Sequence, residues 1–256
     1  MHRLILVVLV LLTACSSKKE RTQAVVDEPS YTLFFIDKSL SNNSLLEAKA
    51  TYERVIREAI AENVHQKGDK VVVYYVHDNT AKARALSLTA RTQLPDSEEA
   101  LKGASPTDRE AAQSDYELQL TREQATMQRQ VLTKLDQSNN NLSNQHTDLW
   151  GSLDVLARAE ESGRQVRAYY LSDMVESMNA PGRRDFHKKP PASNEQADEW
   201  AKADAKKLSA QYVIGSPTIR LVLPFAATAS AKENNPTVTR YWHTLFDTMG
   251  AAEVVE

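Results

Sequence analysis

Residues 37–41 have the sequence Asp-Lys-Ser-Leu-Ser, and their side chains bring one carboxylate and two hydroxyl groups into a single short segment. Hard divalent cations such as Mg²⁺ select oxygen ligands of these kinds. The segment follows an apolar run at residues 33–36, which is typical of a strand buried on both faces. Such a strand delivers Asp37, Ser39 and Ser41 to one loop at its carboxyl end. The sequence therefore indicates a candidate cation site in this loop.

Two further polar positions are expected at the same edge of a sheet. Thr147 and Asp148 follow a polar loop and precede a helical pattern, and Asp173 follows the apolar strand pattern at residues 165–171. In open parallel sheets, ligands bind beyond the carboxyl ends of the strands, where the strand order reverses. We therefore expect Thr147 and Asp173 to lie near Asp37.

The elements that would position these side chains alternate along the chain. Strand patterns fall at residues 31–36, 70–76, 165–171 and 218–223, and helical patterns at 44–67, 147–161, 195–208 and 236–249. Loose alternation within residues 83–92 predicts a short antiparallel edge strand. This order predicts an α/β fold with a doubly wound, mostly parallel sheet flanked by helices. We assign residues 31–252 to one such domain.

Two segments depart from this alternation. A helical insertion is predicted around residues 93–146, where Ser105 and Pro106 begin a long polar helix as cap and first residue. Its apolar positions favour a helix that covers the sheet, and a partner-binding amphipathic helix is the alternative. Residues 179–194 are rich in proline and basic side chains. They predict an exposed loop, or else one that contacts phosphate headgroups or an acidic partner.

The combined pattern resembles the metal-ion-dependent adhesion site of von Willebrand factor A (vWA) domains, and the resemblance extends over most of the chain. It implies one bound Mg²⁺, with Mn²⁺ or Ca²⁺ as alternatives, held by hydroxyl groups of Ser39, Ser41 and Thr147. Asp37 and Asp173 would act directly or through bound water. In that family an acidic side chain of a protein partner fills an open coordination position. The family often has glycine after the final aspartate, where this chain has Met174.

A purely structural interpretation of the same residues exists. Serine, threonine and aspartate after a strand commonly cap helices or form turns. Asp37 would then order its loop and Thr147 would cap the helix that follows, which leaves a vWA-like structural or assembly protein with a degenerate metal site. His77, Asp78 and His146 also fall near this edge, but their spacing matches no zinc pattern.

An enzymatic alternative rests on Asp37 as well. Haloacid-dehalogenase-type phosphatases, which are Mg²⁺-dependent hydrolases, place a nucleophilic aspartate after their first strand, but they need a second aspartate two residues later. Ser39 occupies that position. The sequence also contains no Gly-x-Ser-x-Gly elbow and no Walker loop. We therefore expect a binding protein that is not an enzyme.

The amino terminus indicates export. An apolar run at residues 4–12 is too short to span a bilayer, and it leads into Leu-Thr-Ala-Cys, in which Cys15 is the one cysteine of the sequence. This resembles the lipobox of bacterial lipoproteins, and it implies a signal peptide over residues 1–14, a lipidated Cys15 and a polar tether over residues 15–30. Ser16 favours an outer-membrane location facing the periplasm. The net charge of −3 gives no reason to expect nucleic acid as a partner.

Overall fold

Strands and helices alternate through the residues that the computed structural model describes, which are 28–38, 45–93, 103–138, 145–224 and 235–256. The strands are β1 (Ser30–Asp37), β2 (Lys70–Val76), β3 (Arg84–Thr89), β4 (Gln165–Leu171), β5 (Thr218–Val222) and β6 (Glu253–Val255). The helices are α1 (Leu45–Asn63), α2 (Pro106–Asp136), α3 (Gly151–Glu160), α4 (Asn194–Leu208) and α5 (Pro236–Thr248).

The strands form one sheet in the order β3-β2-β1-β4-β5-β6. All neighbouring pairs are parallel except β2 and β3, which are antiparallel. The predicted fold class, a doubly wound and mostly parallel sheet with one antiparallel edge strand, is confirmed. Strand β6 was not predicted, because three residues at the sheet edge leave no recognisable hydrophobic period.

Strand β1 lies at the centre of the sheet, and its side chains enter two separate cores. Leu33 and Phe35 pack on the face covered by α3, α4 and α5, while Phe34 and Ile36 pack on the face covered by α1 and α2. All four are fully buried. Because successive side chains of a strand point to opposite faces, a continuous apolar run is what this two-sided burial requires.

Helix α2 covers the sheet with its carboxyl-terminal half. Met127, Val131 and Leu135 recur at helical spacing and are buried beside α1. At the other end, Ser105 caps the helix by accepting a hydrogen bond from the backbone N–H of Asp108. Among the described residues, no helix is long and apolar enough to span a bilayer.

Candidate functional site

The candidate site lies where β1 and β4 end side by side. The chain leaves β1 towards β2 on one side, while β4 pairs with β1 on the other, so the strand order reverses between them. Asp37 is the last residue of β1 and is fully buried. Ser172, directly after β4, donates a hydrogen bond from its Oγ to Oδ2 of Asp37 at 2.6 Å. Asp173 follows at the same edge.

Thr147 and Asp148 are held by bonds to the segments that follow β2 and β4. The N–H of Asp148 donates to the carbonyl oxygen of His77, which follows β2, at 3.0 Å. Thr147 donates its N–H to Oγ of Ser177, beyond β4, at 2.8 Å, and its carbonyl accepts the N–H of Ser177. These bonds place Thr147 at the carboxyl edge of the sheet, where Asp37 ends β1.

The hydroxyl of Thr147 does not cap a helix. Its Oγ1 is buried and has no hydrogen-bond partner among the described residues. The capping interpretation is therefore wrong, and α3 begins at Gly151 instead of at residue 147. Other carboxylates supply the cap: Asp148 accepts the N–H of Gly151 at 2.9 Å, and Glu176 accepts the N–H groups of Leu149 and Trp150. A buried hydroxyl without a partner is costly, and Thr147 therefore calls for an explanation.

Two carboxylates share this edge, and their charges oppose each other. Burial, together with the nearby charge of Asp37, raises the pKa of Asp173 to about 7. The N–H of Val175 donates to Oδ1 of Asp173 at 2.9 Å and lowers this pKa only in part. A cation between the two would reverse this balance, because it favours the ionised form of both groups. The oxygen donors at this edge therefore fit a hard divalent cation.

Met174 adopts a backbone conformation that usually belongs to glycine, with φ at 62°. Its N–H donates to Oγ of Ser172 at 3.0 Å, and its carbonyl oxygen accepts a hydrogen bond from Nε1 of Trp242 at 2.7 Å. The side chain is fully buried. These contacts fix a left-handed turn directly after Asp173, which is the position where the resembled family often has glycine.

Lys38 points away from this edge, towards α2. Its Nζ donates to the carbonyl oxygen of Leu135 at 2.5 Å, in the last turn of α2, and lies 5.6 Å from the ring centre of Tyr75. A cation is favourable at a helix carboxyl terminus. Burial lowers the pKa of Lys38 to about 8, against the opposing charges of Asp136 and Asp37. The residue after Asp37 thereby ties the candidate loop to the inserted helix.

Sequence reasoning missed an ion-pair cluster that supports the site. Arg183 bonds to the fully buried carboxylate of Glu176 and, at 2.6 Å, to Oδ1 of Asp148. Burial raises the pKa of Glu176, and the guanidinium of Arg183 opposes that rise. No local pattern identifies this cluster, because Asp148 lies 35 residues from Arg183.

The proline-rich basic segment is therefore not a solvated loop throughout, as one of our sequence interpretations held. Besides Arg183, the neighbouring Arg184 pairs with the buried carboxylate of Asp204 at 2.6 Å and stacks over the ring of Trp200. Lys188 remains exposed. The segment joins α4 to the carboxyl edge of the sheet.

The other positions named in the sequence are placed as follows. Nδ1 of His77 accepts the N–H of Asn79 at 3.2 Å, and Nδ1 of His146 lies 3.0 Å from the carbonyl oxygen of Ser177. Within the described ranges, no three histidine, cysteine, aspartate or glutamate side chains are grouped as a metal-ligand set. Ser39, Ser41 and Cys15 lie outside the described residues. The metal-binding roles stay predictions.

Comparisons with known proteins add only distant structural likenesses. No family model and no curated protein matched the chain. Proximal thread matrix protein 1 from the mussel byssus is 10% identical with a TM-score of 0.37, over 90% of this chain and 44% of that one. The manganese-loaded TRAP protein of Plasmodium vivax is 10% identical with a TM-score of 0.32, over 82% and 62%. The human COPII-coat protein Sec24c is 11% identical with a TM-score of 0.41, over 90% and 29%. The chain thus spans less than two thirds of the length of each of these proteins.

Proposed function

We propose that this chain is a lipid-anchored protein of the bacterial cell envelope that binds a protein partner through one divalent cation at the carboxyl edge of its vWA-like domain. The observation that carries the proposal is the hydroxyl of Thr147, which is buried at the carboxyl edge of the sheet and has no hydrogen-bond partner among the described residues. Asp173, whose pKa is raised beside Asp37, supplies the second carboxylate.

The resemblance to vWA domains supplies the proposed roles of the residues. Asp37, Asp173 and Thr147 would hold Mg²⁺, with Mn²⁺ or Ca²⁺ as alternatives, and Ser39 and Ser41 would complete the donor set. Ser172 orients the carboxylate of Asp37 through its hydrogen bond. A bound divalent cation supplies positive charge and a coordination position that exchanges ligands readily, which suits an acidic side chain of a partner.

The first test is thermal unfolding with Mg²⁺, Mn²⁺, Ca²⁺ or a chelator. A cation at a hundred times its dissociation constant stabilises the folded state by roughly 2.7 kcal/mol. Thr147→Val, which keeps the shape of the side chain and removes the hydroxyl, should lose most of this stabilisation. Asp37→Ala should lose all of it.

Thr32→Val is the matched control. Thr32 lies near the opposite end of β1, and its Oγ1 is also buried without a described partner. Both valine variants delete a buried hydroxyl from a similar environment, so only a role in cation binding separates them. A wild-type chain that responds to no cation would instead favour the alternative, an assembly lipoprotein with a degenerate site.

The anchor and the partner need separate measurements. Cys15→Ala should move the chain from the membrane fraction to the soluble fraction, which tests the lipid anchor. Crosslinking of the wild-type chain in cells, with and without chelator, tests the partner. Crosslinked products that persist unchanged in Asp37→Ala would contradict a cation-dependent contact.

A further inference from the structure

One edge of the sheet is formed by strand β3, and no further described strand pairs with it. It pairs with β2 and is the last strand in the sheet order. Ala90 faces β2, because its N–H donates to the carbonyl oxygen of Asp69 at 2.8 Å and its own carbonyl accepts the N–H of Gly68. Backbone groups of an antiparallel strand alternate in direction. Leu88 therefore also faces β2, while the N–H and C=O groups of Ser87 and Thr89 face outward.

The next outward-facing residue, Arg91, shows how a backbone N–H group on this edge of the sheet is paired. The N–H of Arg91 donates to Oε1 of Glu123 on α2 at 2.8 Å, and the N–H of Thr92 donates to Oε2 at 2.9 Å. The carboxylate of Glu123 thus accepts the outward N–H groups just beyond the carboxyl end of β3. The outward groups of Ser87 and Thr89 precede these two N–H groups along the chain, and no described strand pairs with them.

A groove runs between this open edge and α2. It encloses about 460 Å³, with Ser87 and Thr89 on the strand side and Thr126 and Met127 on the helix side. Met127 is buried and forms an apolar floor, whereas Ser87 and Thr89 are exposed. A groove with an apolar floor and unpaired backbone groups along one wall suits an extended chain, which forms ladder hydrogen bonds and places alternate side chains in the groove.

The charged side chains that line the groove indicate which kind of extended segment would bind there. Arg91 and Arg122 line it, and neither forms an ion pair within 4 Å among the described residues, although the charge of Arg91 helps to lower the pKa of Glu123. Glu123 is the one carboxylate in the lining, and it already accepts two N–H groups. An extended segment with acidic side chains complements this surface. A second copy of β3 in antiparallel pairing would bring the Arg84 end of each strand beside the Arg91 end of the other, which is unfavourable.

We propose that the groove between β3 and α2 binds an extended acidic segment of a partner protein, which adds a strand to the open edge of β3. This inference does not rest on the proposed cation site, because Asp37 lies two strands away on β1. The two proposals therefore fail independently.

The probe is a labelled ten-residue peptide of alternating glutamate and valine, titrated with the full chain in the presence of chelator and followed by fluorescence anisotropy. Thr89→Pro removes one outward N–H, and an edge strand tolerates proline at such a position. We expect this variant to bind the peptide at least tenfold more weakly while its unfolding temperature stays near that of the wild type. Arg122→Glu should weaken binding by a similar factor.

Lys206→Glu, an exposed charge reversal on α4, is the matched control and should leave binding unchanged. The corresponding lysine–valine peptide should bind at least tenfold more weakly than the glutamate peptide. The proposal would be overturned if the wild type did not bind the peptide, if Thr89→Pro bound it equally well, or if the wild type formed a dimer that Thr89→Pro dissociates. Binding that begins only after residues 94–102 are replaced by a Gly-Ser linker would assign the groove to that segment and would also overturn it.

Discussion

Buried carboxylates at the amino and carboxyl ends of the sheet have different electrostatic surroundings. At the amino end, Asp69 is 2% exposed and accepts three backbone N–H groups, from Ser30 at 2.7 Å, His65 at 2.6 Å and Gln66 at 2.8 Å. At the carboxyl end, Asp37 and Asp173 lie close enough for one charge to raise the pKa of the other. Asp69 is thus matched to backbone donors, whereas Asp37 and Asp173 accept hydrogen bonds from Ser172 and Val175 and also repel each other.

The difference separates a group that stabilises the fold from the groups to which we assign the proposed cation. Asp69 joins the start of β1 to the turn before β2, and its charge is satisfied by the chain itself. The carboxyl edge instead combines like charges, the left-handed backbone of Met174 and the hydroxyl of Thr147, for which the described residues offer no hydrogen-bond partner. Unfavourable features of these kinds concentrate at functional sites, where a ligand relieves them.

The largest effect is expected at the satisfied carboxylate. Asp69→Asn removes the charge and presents an NH₂ group to N–H donors that now lack an acceptor, so we expect a loss of about 3 kcal/mol in the free energy of unfolding. Urea denaturation followed by circular dichroism measures it. A loss below about 1 kcal/mol, or a loss that depends on Mg²⁺, would remove the contrast between the two edges.

Asp173→Asn, in contrast to Asp69→Asn, should increase the free energy of unfolding at neutral pH. A carboxyl whose pKa is about 7 in the folded chain and near 4 when unfolded lowers stability as pH rises from about 4 to about 7. The variant should therefore be more stable than the wild type by about 2 kcal/mol at pH 8, roughly half of what the full shift implies, because Asp173 remains partly exposed. At pH 3 the two should agree.

Urea denaturation of the wild type and of Asp173→Asn at several pH values, with chelator present, tests this prediction. The same measurement in Mg²⁺ tests whether a cation changes the difference in stability. A bound cation should narrow the difference at pH 8, because it offsets the repulsion in the wild type only. An Asp173→Asn chain that is less stable than the wild type at pH 8 without cation would show that Asp173 is satisfied, as Asp69 is.

The smallest effect is expected at Met174. Both Met174→Gly and Met174→Ala delete the buried side chain, so both should destabilise the fold. With φ at 62°, however, glycine avoids a steric cost of about 1 kcal/mol that alanine retains. We expect the glycine variant to be more stable than the alanine variant by about that amount in thermal unfolding. The opposite order would show that the turn carries no strain.

Much of this architecture could be predicted from the sequence. Strand β2 runs over residues 70–76 as its apolar run indicates, and Ser105 caps α2 as its Ser-Pro sequence indicates. The placement of Asp37 and Asp173 at the ends of adjacent strands follows from buried runs that each end in a polar residue. Local patterns suffice here because strand period and helix caps are local properties.

The contacts that shape the edge could not be predicted in the same way. The bonds of Asp148 to His77 and of Thr147 to Ser177 depend on strand order. The cluster of Glu176, Arg183 and Asp148 joins residues that are distant in sequence. Capping of α3 by Thr147, the alternative interpretation, is wrong because the adjacent Asp148 and the distant Glu176 accept the N–H groups at the start of the helix. Met174 gives no sign of its left-handed backbone, because glycine is the usual marker of that conformation.

The bond between Ser172 and Asp37 joins residues 135 positions apart. Closing so long a loop is entropically costly, and contacts of this separation form slowly compared with helices and adjacent strands. We therefore expect the carboxyl edge to assemble only after β1 and β4 have paired, late in the folding of the domain. A cation that needs both Asp37 and Asp173 has no complete site on the nascent or partly folded chain.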